Sequence, residues 1–145
     1  MNFLVDSAEE LTDKLFQQIH PHLKGGFICA LEGPLGSGKT TLVQGIAKKL
    51  GIKDNITSPT FNLRKSYSIA RPINGARFLQ HIDLYRLEKA TGFDEMELED
   101  WLKDYDAVTF IEWAENIKEA EKSAKVVIKI EAVADKQRKV GLIWK

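Results

Sequence analysis

The residues with the clearest chemical spacing are Gly33-Pro34-Leu35-Gly36-Ser37-Gly38-Lys39-Thr40, which satisfy G-x-x-x-x-G-K-[ST] in full. Glycines let backbone N–H groups converge on phosphate oxygens without a Cβ in the way. A helix starting near Lys39 would point its positive end at those phosphates. In such a loop the lysine reaches the β and γ phosphates of a nucleotide and the hydroxyl after it ligates Mg²⁺. Gly33, Leu35, Gly36, Ser37, Gly38, Lys39, Thr40 and Thr41 are therefore the candidate nucleotide-binding surface, with Thr40 as a metal ligand. The pattern arises by chance in roughly one chain of this length in a few hundred.

A Mg²⁺-bound nucleotide needs a carboxylate at a neighbouring strand end, because the ion takes one or two carboxylates along with phosphates and waters. Two acids qualify. Glu112 follows the apolar run Val108-Thr109-Phe110-Ile111 and is expected at the sheet edge, whereas Asp83 follows a run broken by Gln80 and His81. Strand quality favours Glu112 as the metal ligand and leaves Asp83 to hold a metal-bound water or orient the attacking one. Lys39, Asp83 and Glu112 are the candidate catalytic set. Trp113 either packs over the nucleotide or fills the core edge.

The elements that must position these groups are legible on both sides of the loop. "FICALE" is a short β-rich run before it, and "KTTLVQGIAKKL" carries apolar residues at helical spacing after it, with Gly51 as a stop. Upstream, Ser7 with Glu10 three residues on is a capping-box signature, and Leu11, Leu15 and Ile19 follow at helical spacing. "TFNLRKSYSI" and "ARFLQHIDL" read as a hairpin around the turn "RPING", and "KVVIKIEAV" and "RKVGLIW" as a second around "ADKQ". "DEMELEDWLKDY" reads as a short acidic helix, and "AENIKEAEK" as a weak helix or loop. Strand, glycine loop, helix and later strands predict one α/β domain over residues 1–145, a P-loop NTPase-like mixed sheet with flanking helices and two antiparallel hairpins.

The bulk composition agrees with that class. A chain of 145 residues with 43% hydrophobic and 29% charged residues suits one soluble domain. Lys+Arg and Asp+Glu both number 21, which argues against a nucleic-acid grip through bulk charge. The single cysteine, Cys29, excludes an internal disulfide and reads as a small buried hydrophobe. His20, His22 and His81 offer no zinc spacing. "MNFLVDSAEE" has no basic leader region, and no apolar stretch is long enough for a bilayer, so a cytoplasmic protein is expected.

With these residues in place, the sequence resembles the TsaE (YjeE) family of small bacterial P-loop ATPases. The resemblance runs from about Ser7 to Arg138 and rests on "LEGPLGSGKTTL", "ITSPTFNL", "HIDLYRL" and "FIEWAE". It implies binding and slow hydrolysis of ATP with Mg²⁺, in service of threonylcarbamoyl modification of the tRNA adenosine next to the anticodon. It also implies two partners with an actin-like fold, TsaD-like and TsaB-like proteins, one of which performs the transfer, so that tRNA is met only through the complex. By the same resemblance Thr40 and Glu112 match the Mg²⁺ ligands, Lys39 the phosphate lysine and Asp83 an acid of ATP turnover. Ser58, Pro59 and Thr60 match a nucleotide-sensing switch, while Thr12 and Arg138 match positions near the nucleotide. The family usually has aspartate where this chain has Pro34, and "E-E-L…G" where it has Thr91-Gly92-Phe93…Glu97.

Blander readings stand beside several of these. Thr60 is a γ-phosphate sensor or simply a β-branched strand starter after Pro59. Tyr85 and Arg86 read as a partner surface ahead of a structural ion pair, and His81 as a satisfied structural histidine ahead of a general base. Lys48, Lys49 and Lys53 read as a solvated helix end, and the acids from Asp94 to Asp106 as a wet helix face. A small-molecule P-loop kinase is the rival function, but such kinases usually add an arginine-bearing lid, and Arg64, Arg71, Arg77 and Arg86 are scattered on or near the first hairpin. A GTP switch needs N-K-x-D, which is missing, so ATP is the expected nucleotide.

Overall fold

The computed structural model describes residues 1–59, 63–85 and 95–145. Its elements are β1 (Asn2–Val5), α1 (Ala8–Ile19), β2 (Ile28–Glu32), α2 (Lys39–Lys49), β3 (Arg64–Ile73) and β4 (Ala76–Asp83), then α3 (Glu95–Leu102), β5 (Ala107–Glu112), α4 (Lys118–Ser123), β6 (Val126–Ala132) and β7 (Arg138–Trp144). The seven strands form one sheet in the order β1-β7-β6-β2-β5-β4-β3. The central strands β6, β2, β5 and β4 are parallel, and β3, β7 and β1 add antiparallel edges. The mixed sheet with flanking helices is the class expected from the sequence.

Period-two alternation divides the core in two. Cys29 and Leu31 of β2 join the cluster under α1 and α2, with Leu11, Leu15, Leu42, Val43 and Phe110. Ile28 and Ala30 face the other side, with Ile82, Leu98, Ile111 and Ala120 under α3 and α4. Parallel strands covered on both faces are apolar throughout, which is why all six residues of β5 are buried. Each fully buried Leu or Ile contributes roughly 1.5–3 kcal/mol. Cys29 is one of these buried groups, and burial pushes its thiol well above the usual range.

Ser7 caps α1 from an extended backbone, its Oγ accepting the Glu10 N–H at 3.0 Å. Thr12 of α1 is buried against α2, where a Cβ on Gly45 would come within 2.4 Å of its Oγ1. Gly45 is therefore the close-approach point that lets α2 lie beside α1. In contrast, α2 starts at Gly38, in the left-handed region at φ 107°, with no side-chain cap and no acid in its first turn.

Four expectations are corrected. Asn2–Val5, read only as a sequence without a leader, forms edge strand β1 against β7. With only four residues and Phe3, Leu4 and Val5 in a row, the stretch shows no polar–apolar alternation in sequence, although Val5 is buried and Leu4 exposed in the strand. The first strand of the first hairpin, expected from Thr60, begins at Arg64, because Leu63 turns into the left-handed region at φ 61°. Its turn is only Asn74-Gly75, both at positive φ, the backbone that a two-residue hairpin demands, while Arg71 to Ile73 remain in the strand. Finally, β5 lies between β2 and β4, so Glu112 ends a central strand instead of marking the sheet edge.

Candidate functional site

The carboxyl ends of β2, β4 and β5 converge on the loop from Gly33 to Gly38, where an open parallel sheet places ligands. Gly33, at φ 153°, passes so close to β6 that a Cβ would sit 2.3 Å from the Ile130 carbonyl. Above Gly36 and Gly38 nothing lies within 4 Å of the Cβ positions, so the loop opens onto solvent there. The first-turn amides of α2 face this opening without a side-chain cap. Unpaired helix N–H groups and the helix dipole favour an anion at that place.

Lys39 is 4% exposed. Its ammonium donates to the carbonyls of Gly33 and Pro34, and it stands 4.1 Å over the Trp113 ring. Burial pulls its pKa below the usual lysine value, against the opposing charges of Glu112, Glu115 and Asp83. Thr40 Oγ1 donates to the Glu112 carboxylate, 3.0 Å from Oε1 and 2.8 Å from Oε2. Glu112 is 3% exposed, and Oε2 also meets Nε2 of His81 at 2.5 Å.

Register brings the second acid alongside, since β4 and β5 pair Asp83 with Glu112. One Asp83 oxygen accepts the Ser58 hydroxyl at 2.9 Å and the other the Tyr85 N–H at 3.0 Å. The Asp83 N–H donates to the Leu63 carbonyl at 2.9 Å, which ties the start of β3 to the same acid. Trp113 adopts φ 58°, and its ring meets Tyr85 at 5.0 Å. A bulky residue held in the left-handed region beside a cleft is a form of strain concentrated at functional sites. These groups line a cleft of about 390 Å³. A second cleft of about 440 Å³ shares Gly36, Ser37, Gly38 and Thr41 and is closed by Leu11, Lys136 and Arg138.

The structure thus brings together Leu35, Gly36, Ser37, Gly38, Lys39, Thr40, Thr41, Asp83, Glu112 and Trp113 around the first cleft. Arg138 lines the second, with Nε donating to the Ser37 carbonyl at 3.1 Å and Nη1 to three carbonyls of the turn before β7. Thr12 lines neither cleft and packs on Gly45 instead. Thr60, Arg86 and the stretch Thr91-Gly92-Phe93 lie outside the described residues. Arg64 is engaged with Gln80 and Asp104, away from the loop.

Sequence reasoning passed over two features. His81, which the sequence alone presents as a structural histidine, contacts the acid of the site. Glu32, Glu115 and Glu121 also converge beside the loop, although only topology joins them. Burial first, then a hydrogen bond with Glu121 and the charges of Glu121 and Glu115, push Glu32 up to about 7 against the pull of Lys129. Burial likewise raises Glu115, opposed by Lys39.

A carboxyl raised above its ordinary 4.5 holds its proton more tightly when folded. That stabilisation is complete below the ordinary value and is lost as pH climbs through about 7. Glu32→Gln should therefore melt higher than wild type at pH 8 and close to it at pH 5. Equal melting shifts at the two pH values would refute the burial of that charge.

Comparison with known proteins agrees with this architecture. Residues 6–140 match the family described as threonylcarbamoyl adenosine biosynthesis protein TsaE. The chain is similar to proteins named tRNA threonylcarbamoyladenosine biosynthesis protein TsaE from three bacteria. It is 34% identical to that of Aquifex aeolicus, over 95% of this chain and 92% of the relative. It is 34% identical to that of Bacillus subtilis, over 81% and 69%, and 32% identical to that of Mycobacterium bovis, over 91% and 80%. The crystal structure of Bacillus subtilis YdiB superposes with a TM-score of 0.68 at 26% identity, covering 97% of this chain and 82% of that one. The chain, a P-loop NTPase-like domain by its fold, belongs to the TsaE family of threonylcarbamoyl adenosine biosynthesis proteins.

Proposed function

We propose that this protein is a Mg²⁺-dependent ATPase that acts as an accessory in threonylcarbamoyl modification of tRNA. In this reading it serves TsaD-like and TsaB-like partners of actin fold, in the cytoplasm, and is not itself the transferase. The observation that carries the reading is the pairing of the Thr40 hydroxyl with the Glu112 carboxylate at the uncapped start of α2. A hydroxyl and a carboxylate beside a phosphate cradle are the oxygen donors that suit Mg²⁺. The open space over Gly36 and Gly38 fits a polyphosphate.

Thr40 and Glu112 would hold the ion, which when bound supplies positive charge to the β and γ phosphates. Lys39 exchanges the Gly33 and Pro34 carbonyls for phosphate oxygens and brings its charge to the developing negative charge. Asp83, fixed by Ser58 and the Tyr85 N–H, orients the attacking water. The cleft beyond Ser37, walled by Leu11 and Arg138, takes the nucleoside side. Pro34 brings no carboxylate near the phosphates.

Purified protein should bind ATP with Mg²⁺ and turn it over slowly. Turnover should rise when the actin-fold partners and tRNA are added, as measured by phosphate release. Fast phosphoryl transfer to a small acceptor, indifferent to partners, would replace this reading with that of a kinase.

A further inference from the structure

His81 belongs to this site as well, and its placement follows from strand register. On β4 it pairs with Phe110 of β5, so Glu112 is its diagonal neighbour on the same face of the sheet. That is the face covered by α1 and α2, and Thr40 lies in the first turn of α2. His81 is wholly buried, and among the described residues its Nδ1 has no hydrogen-bond partner. Burying an imidazole with one ring nitrogen unpaired is costly, and an apolar side chain would fill the space without that cost. Its one polar contact among the described residues is the short bond to Glu112.

The bond divides the labour of the carboxylate. Oε2 carries both His81 at 2.5 Å and Thr40 at 2.8 Å, whereas Oε1 carries only the longer Thr40 contact at 3.0 Å. Oε2 is the anchored oxygen, and Oε1 keeps the greater lone-pair capacity of a carboxylate that lines the cleft. A group behind a ligand that fixes its rotamer typically governs metal affinity by tenfold to a hundredfold.

We propose that His81 is a positioning residue whose Nε2–H holds Glu112 in the orientation that binds Mg²⁺, an inference that rests on the proposed nucleotide reading of the cleft. The Nε2–H tautomer is required, because a carboxylate accepts and cannot donate.

Two polar variants separate this role from a merely structural one. In His81→Gln the amide nitrogen reaches the place of Nε2, whereas in His81→Asn it stops near the place of Nδ1, out of reach of Glu112. ATP affinity is measured by calorimetry with saturating Mg²⁺ and again in chelator. His81→Asn should lose about tenfold or more of the Mg²⁺-dependent gain with little change in chelator, and His81→Gln should restore most of it. A full Mg²⁺ gain in His81→Asn overturns the positioning role and leaves the nucleotide reading intact. Absence of ATP binding by wild type under both conditions overturns both. Nitrogen NMR of the wild-type imidazole gives a readout independent of any variant, and an Nδ1–H tautomer overturns the proposal.

Discussion

Lys39→Ala should leave a folded protein whose ATP affinity has fallen by about a hundredfold or more. The ammonium is the cation best placed to meet a triphosphate in the first cleft, because Lys39 lines it whereas Arg138 lines the second. A charge-assisted hydrogen bond contributes roughly 1.5–3 kcal/mol, and about 1.4 kcal/mol is tenfold in affinity. Loss of two such bonds accounts for the drop. Stability should change little, since alanine removes a buried charge whose desolvation already opposes folding, together with its bonds to two carbonyls. Calorimetric titration beside a thermal melt separates the two quantities. Near-normal ATP affinity in a folded Lys39→Ala protein would mean that the phosphates lie elsewhere.

Glu112→Gln should reverse sign with the metal. In chelator the wild-type carboxylate faces the phosphates as one anion facing another, so the amide should bind free ATP as well or a few-fold better. With Mg²⁺ the same substitution removes a ligand and should weaken binding by about tenfold or more, the scale on which such sites respond. The Gln keeps the size of the residue and an acceptor for Thr40, so the fold survives. A Mg²⁺ requirement equal to that of wild type would transfer the ligand role to Asp83, its register partner on β4.

Much of this site was legible because its chemistry is local in sequence. The loop from Gly33 to Thr40 announces itself by glycine spacing, and the apolar run into Glu112 marks a buried strand, though not its central place in the sheet. Both hairpins could be read from alternation and turn residues. What resisted reading was set by tertiary placement. Asn2–Val5 becomes a strand only because β7 offers an edge to pair with. Leu63 breaks the start of β3 through a backbone angle that nothing in "TFNLRK" forces. Thr12 sits at a plausible distance before the loop, but the close packing of α1 on Gly45 points it into a helix contact. His81 reads as a satisfied structural histidine, and only the β4–β5 register carries it to Glu112. The acids Glu32, Glu115 and Glu121 are spread over about ninety residues, and no local pattern predicts their meeting.

The missing cap on α2 has a consequence for the resting molecule. A helix whose opening amides are left uncommitted behind a glycine forgoes about a few tenths of a kcal/mol that a serine or aspartate would contribute, and the chain accepts that deficit at a terminus where a guest can make it good. Occupancy and foldedness are then two faces of a single equilibrium: any polyanion seated there raises the cost of unfolding in proportion to the logarithm of its concentration. Without such a guest the protein is the frailer form, and its persistence would follow the supply of whichever polyanion the terminus takes.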